Sequence, residues 1–310
     1  MSTTIENQQS TPHSTLRRLV ASHPVAAFLI MVYAIGWFIL IGAAGYLGLP
    51  MLLSSSLAMV FGLALPAFLV TAATSGKAGV RDLLDRCLRW RVGIGWYLLA
   101  LLGLLFATLL AASAFLGLAQ LEAFAQKWPL LFTMFLPGIL VPLVVTHLGE
   151  EAGWTGFMQD TLQERRGPLL ASILVAPAFV LFHFPLTFVE APQVTIAVVQ
   201  LALVQLAVQA IVVVFFRVVI MWLYNGAGRS ALIVALFHSA FNSAGTGADY
   251  ATRYIEEIVP GPAGPLIPMA VVAVVAMPVT VSTRGRLAYE PERAARPVEA
   301  ATVAAQPRVP

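Results

Sequence analysis

The sequence predicts an all-α membrane protein, a bundle of eight transmembrane helices with the N- and C-termini both in the cytoplasm. Three observations predict it: a charge-poor, apolar composition, apolar blocks long enough to cross a bilayer, and basic residues sorted almost wholly to one side of those blocks. Of 310 residues, 59% are apolar and 11% charged, with a mean hydropathy of +0.85. A soluble domain carries about 25% charged residues, so this chain has too little polar surface to cover a globule in water.

Eight apolar blocks can be marked, at 25–47, 52–74, 92–118, 129–147, 169–189, 196–222, 231–248 and 263–281. Most reach the roughly 20 residues that cross a hydrocarbon core as a helix. The seventh is short and the most polar, which suggests that it faces protein or water rather than lipid. If the eight alternate, 15 of the 18 Lys and Arg residues fall on the side of the N-terminus. The opposite side holds only Lys127 and Arg253, and Arg217 lies inside a span. That asymmetry orients membrane proteins with their basic loops in the cytoplasm.

The pieces outside the bundle read simply. Residues 1–24 form a polar N-terminal segment, 25–282 the eight-span domain, and 283–310 a Pro-, Ala- and Arg-rich tail without periodicity, expected to be disordered. The apolar block after residue 24 is too long for a signal-peptide core. Between the second and third blocks, Val80, Leu83, Leu84, Cys87 and Leu88 make one apolar stripe, the pattern of a helix lying in the membrane interface with its charges outward. The net charge of +3 is spread over membrane-flanking loops, so no nucleic-acid partner is expected. A single cysteine, Cys87, excludes a disulfide framework and a Cys-rich metal site.

Ionisable groups inside hydrocarbon cost about 2.5–3.5 kcal/mol each for a central charge, so each one here needs a reason. They are His147, Glu150 and Glu151 at the fourth span, His183 in the fifth, Arg217 in the sixth, and His238 with Asn242 in the seventh. Such a cluster points to proton-transfer chemistry or metal binding. His238 and Asn242, four residues apart, share a helix face and suit an oxyanion developing on a carbonyl. Glu150 and Glu151 stand about 100° apart on a helix and should not reach one spot; one would serve as base and the other tie the helix to its neighbours. His147 reads as a supporting group rather than a ligand. Arg217 either snorkels to the headgroups or marks, with Gln205 and Gln209, the face packed inside the bundle.

Three stretches now carry a resemblance. Glu150-Glu151-Ala152-Gly153-Trp154-Thr155-Gly156-Phe157 resembles the first motif of the CPBP family, the type II CAAX prenyl endopeptidases and their bacteriocin-processing relatives. Phe179-Val180-Leu181-Phe182-His183 resembles the second motif, and His238-Ser239-Ala240-Phe241-Asn242 the third. The resemblance covers residues 81–248 and implies an intramembrane glutamate-dependent endopeptidase whose cavity opens to the cytoplasm. It implies that Glu150 with His183 activates a water, that His238 and Asn242 form the oxyanion hole, and that Glu151 completes the site. One departure stands out: the family usually carries Arg after Trp154, and this chain has Thr155, so that Glu151 either finds another donor, with Arg217 a candidate, or stays protonated.

No cofactor is expected. Zinc is the disfavoured alternative, because no His-Glu-x-x-His helix is present and Asn242 is a poor ligand. The expected partners are membrane lipids and a membrane-associated or lipidated peptide. The Ala-, Val- and Arg-rich composition reads as bacterial, where peptide export, bacteriocin processing or self-immunity fits better than prenylated substrates. A non-proteolytic relative acting as scaffold or immunity protein is the alternative.

Overall fold

The computed structural model describes residues 12–189, 193–246, 254–261 and 263–291, and every regular element among them is helical. The helices are α1 (Pro12–Ser22), α2 (Pro24–Tyr46), α3 (Met51–Cys87), α4 (Ile94–Leu116), α5 (Ala119–Lys127), α6 (Leu131–Arg166), α7 (Pro168–Phe188), α8 (Ile196–Gly226), α9 (Ala231–Ala244), α10 (Tyr254–Ile258) and α11 (Ala263–Ser282). Among the described residues seven, α2, α3, α4, α6, α7, α8 and α11, are long and apolar enough to cross a membrane. The expected seventh block is the shorter apolar helix α9, and its last residues lie outside the described ones. It is buried along nearly its whole length, from Ala231 to Ala240, packed among α4, α6 and α8. A helix enclosed on all sides can carry polar groups that a lipid-facing one cannot.

The fourth span differs most from expectation. It does not end at His147; α6 is 36 residues long, continues to Arg166 and carries the glutamate pair within its helical length. Gly149 and Gly153 lie on the face turned to α3, where an added Cβ would meet the Met59 carbonyl at 3.2 Å and Leu63 at 3.2 Å. Small residues four apart allow such close backbone approach between membrane helices, so the glycines flanking the glutamates bring α3 against α6.

Gly76, at φ 65°, breaks α3 into a crossing part and a short outer part, a conformation that L side chains rarely adopt. The outer part departs from the expected pattern of an apolar stripe with its charges outward. Leu83, Arg86 and Cys87 turn inward, while Leu84 and Leu88 stay exposed. Arg86 is inside because α6 supplies a partner: it donates to Asp160, to the Gly156 carbonyl (2.8 Å) and to the Tyr224 hydroxyl (3.1 Å). Arg229, in the turn before α9, meets the same Asp160 carboxylate from another side. Gln163 donates to Asp160 as well (2.8 Å), and Asn225 donates to Gln163 (3.1 Å) and to the Leu287 carbonyl (3.1 Å). Leu287, placed by the sequence in a disordered tail, is thus fully buried against the arginine-rich end of the bundle; the tail from residue 292 onward lies outside the described residues.

This node sets one expectation. Asp160→Leu removes the buried carboxylate that Arg86 and Arg229 share and leaves them only the more exposed Asp82 and Glu164, and removing one partner of a buried ion pair costs about 3–5 kcal/mol. Thermal unfolding in detergent should show a large loss, and Asp160→Glu should recover part of it.

Candidate active site

Helical spacing brings the polar residues to one level of the bundle. Glu150 and Glu151 lie ten and nine residues before Asp160 on α6, about 15 Å and 13.5 Å deeper than the arginine-rich end. His183 closes the α-helical part of α7, and His238 sits two turns into α9. The backbone loosens to π-helical bonding around the site, at Leu143–His147 and Ala152–Gln159 on α6 and at Asn242–Thr246 on α9. Such widened turns recur at functional sites because they re-aim side chains without ending the helix.

The sequence-predicted residues come together from three spans. Glu150 Oε1 lies 3.6 Å from His183 Nε2, and Glu150 Oε2 lies 3.8 Å from His238 Nδ1. Glu151 Oε1 accepts from His238 Nδ1 at 2.8 Å. Asn242 Nδ2 donates to His147 Nε2 at 2.9 Å, and His147 stacks on His238 with ring centroids 4.3 Å apart. The expectation that the two glutamates could not reach one spot is corrected: both approach His238 Nδ1, because a two-carbon stem spans the angle between their Cα atoms. Glu150, Glu151, His147 and His238 are buried, while His183 and Asn242 are half-buried.

The tautomer of His183 follows from its partner. A carbonyl can only accept, so His183 Nδ1, 2.9 Å from the Phe179 carbonyl, carries a hydrogen, and the neutral ring turns its Nε2 lone pair toward Glu150. The Phe-x-x-x-His spacing does this: the carbonyl four residues back on a helix lies over the imidazole. Glu150 Oε1, although buried, has no hydrogen-bond partner among the described residues. A carboxylate oxygen and an imidazole lone pair, each free to accept, therefore face one another at a separation that suits two hydrogens of one small molecule.

Arg217 supplies the donor that Thr155 does not. Fully buried, it bonds Glu151 with Nη1 (3.2 and 3.1 Å), Thr155 Oγ1 with Nη2 (2.7 Å) and Gln159 Oε1 with Nε (3.0 Å). Thr155 in turn donates to Glu151. The snorkelling alternative is corrected; the guanidinium points into the bundle and lies over the Phe179 ring, 5.7 Å from its centroid. Gln159 anchors the far side through Ser172 (2.8 Å) and the Arg217 carbonyl (3.2 Å). Sequence reasoning missed Gln159 and Ser239. The signal for the first was there, since Glu151, Thr155 and Gln159 repeat every four residues on one face of α6.

Metal ligation was tested on the same atoms. His147, Glu150 and His238 each present a ligand atom within 4.8 Å of the others. His147, however, engages both ring nitrogens, Nε2 with Asn242 and Nδ1 with Ser239 Oγ at 2.7 Å. Two imidazoles on one tetrahedral zinc, with Zn–N of about 2 Å, hold their centroids about 5 Å apart, whereas these rings stack more closely. The donor set fits a hydrogen-bond network better than a metal site.

Residues 128–244, which run from the turn before α6 to the end of α9, match the family described as type II CAAX prenyl endopeptidase Rce1-like. Comparison with curated proteins gives no match.

Proposed function

We propose, from the match of residues 128–244 to the type II CAAX prenyl endopeptidase Rce1-like family, that the chain is an intramembrane endopeptidase that hydrolyses a peptide bond of a membrane-associated or lipidated substrate. The observation that carries the reading is Glu150 Oε1, buried without a hydrogen-bond partner among the described residues and facing His183 Nε2 at 3.6 Å. Water between them donates one hydrogen to each, which aims its lone pair at the scissile carbonyl. Glu150 takes the proton on attack and returns it to the leaving amine. The developing oxyanion is met by His238 Nε2–H and by an amide N–H of Asn242.

Proton counting makes these roles compatible. His238 Nδ1 already donates to Glu151, so Nε2 can donate only if the ring is doubly protonated. With Arg217 and His238 positive and both glutamates negative, the cluster is neutral overall, as a dry site requires. Glu151 is then the group that orients and stabilises the His238 imidazolium, and Glu150 is the base.

The arginine-rich end faces the cytoplasm in this reading. Counting α9 as an eighth crossing keeps the termini on one side and the 15 basic residues with them. The cavity then opens from the membrane toward the cytoplasm, in a bacterial membrane. The rival reading, a silent scaffold or immunity protein, rests on Thr155, and Arg217 fills the place that Thr155 leaves open. Purified protein in liposomes should cleave a lipidated reporter peptide, with the rate unaffected by chelators. Binding without cleavage would favour the scaffold, and loss to chelators restored by zinc would overturn the metal-free mechanism.

A further inference from the structure

We propose that His147 is the positioning residue of the oxyanion hole, holding Asn242 and His238 together in the arrangement that receives the substrate oxygen. The proposal rests on the protease reading above and extends it to a residue outside all three sequence motifs. His147 lies one helical turn before Glu150 on α6, fully buried. It touches both members of the hole: its Nε2 accepts from Asn242 Nδ2 (2.9 Å), and its ring stacks on His238.

The bonding leaves one tautomer. An amide N–H can only donate, so His147 Nε2 is a lone pair, the hydrogen is on Nδ1, and Nδ1 donates to Ser239 Oγ at 2.7 Å. The neutral ring is thereby fixed at both ends to α9, through Ser239, which follows His238, and through Asn242 itself. An asparagine amide has two hydrogens. With one held by His147, the side chain cannot rotate, and the second N–H keeps a single direction. Asn242 needs this constraint because it is half-buried and sits where α9 has loosened to π-helical bonding. The stacking acts on the other donor: a neutral imidazole lies against the face of His238, which the mechanism requires to be positive, whereas a charged His147 would repel it.

A double-mutant cycle on peptide cleavage tests this. Removing an oxyanion donor lowers kcat by about 10²–10³-fold, so Asn242→Ala should do so. His147→Phe keeps the ring and the stacking but removes the acceptor; it should lower kcat by about tenfold or more with little change in KM. His147→Gln, whose carbonyl reaches the Nε2 position, should recover most of the rate. In the Asn242→Ala background, His147→Phe should cost less than about twofold, because coupled residues are not additive. Melting temperatures measured alongside separate folding loss from rate loss, and if His147→Phe does not fold, the same cycle is read with Ser239→Ala, which removes the acceptor of the His147 Nδ1 hydrogen. Multiplying effects, or a raised KM at unchanged kcat, would overturn the proposal. A rate lowered by Asn242→Ala but not by His147→Phe would remove the role of His147 alone. Wild-type protein that does not cleave would remove the protease reading beneath it.

Discussion

Glu150→Gln should abolish peptide cleavage while leaving the protein at least as stable as the wild type. The carboxylate is buried with Oε1 unpartnered among the described residues, and the two imidazoles beside it, His183 at 3.6 Å and His238 at 3.8 Å, stand beyond good hydrogen-bond length. A carboxylate held this way is retained for chemistry at a cost in stability. The amide isostere keeps the volume, removes the buried charge and cannot accept a proton, so the rate should fall by about 10³-fold or more, with a melting temperature that holds or rises. Glu151→Gln should behave in the opposite manner. It removes the counter-charge of Arg217 and the acceptor of His238 Nδ1, so the melting temperature should drop and the surviving folded fraction should cleave slowly. Rate and unfolding measured on the two variants together would separate the base from its neighbour; equal rate loss with equal destabilisation would mean that the two glutamates are not divided in this way.

How much of this was legible in the sequence depends on what each residue costs in hydrocarbon. Glu150, Glu151, His183 and His238 stand out because charge and imidazole are rare in membrane spans, and Asn242 because it follows His238 by four residues on one helix face. Gln159, Ser172 and Ser239 carry as much of the hydrogen bonding, but neutral polar side chains are tolerated in helix packing and raise no signal alone. Arg86 was placed on a solvated face because an amphipathic stripe shows only the helix itself; that Asp160 and Tyr224 wait on the inner side is a tertiary fact. The apolar blocks located the spans, yet the block ending at His147 stopped at the first polar residues, whereas the α6 helix continues because α3, α8 and α9 surround it with partners. The meeting of Glu150 and Glu151 at His238 was hidden for a related reason, since an ideal 100° step takes no account of side-chain reach or of turns widened to π-helical bonding.

The guanidinium at the centre of the site should be movable between helices, and this gives the second large effect. Arg217→Met preserves the bulk of the side chain but leaves Glu151, with both side chains fully buried, facing no positive charge except His238. Loss of one partner from such a pair costs about 3–5 kcal/mol, enough to unfold much of the protein in detergent near room temperature. Thr155→Arg alone should also destabilise, because it drives a second guanidinium against the first at the place where Thr155 now accepts from Arg217 at 2.7 Å. The two changes combined should be better than either. An arginine at 155 stands four residues after Glu151 on the same helix, the spacing at which opposite charges meet, and it would restore the residue that the resembling motif usually carries after Trp154. Gln159, one further turn along, already offers Oε1 to a guanidinium in this volume. The double variant should regain at least half of the stability lost in Arg217→Met and, with Glu151 and His238 again held, measurable cleavage. Additive losses in unfolding and in rate would show that the position of the charge on α8, and not merely its presence beside Glu151, is what the site requires.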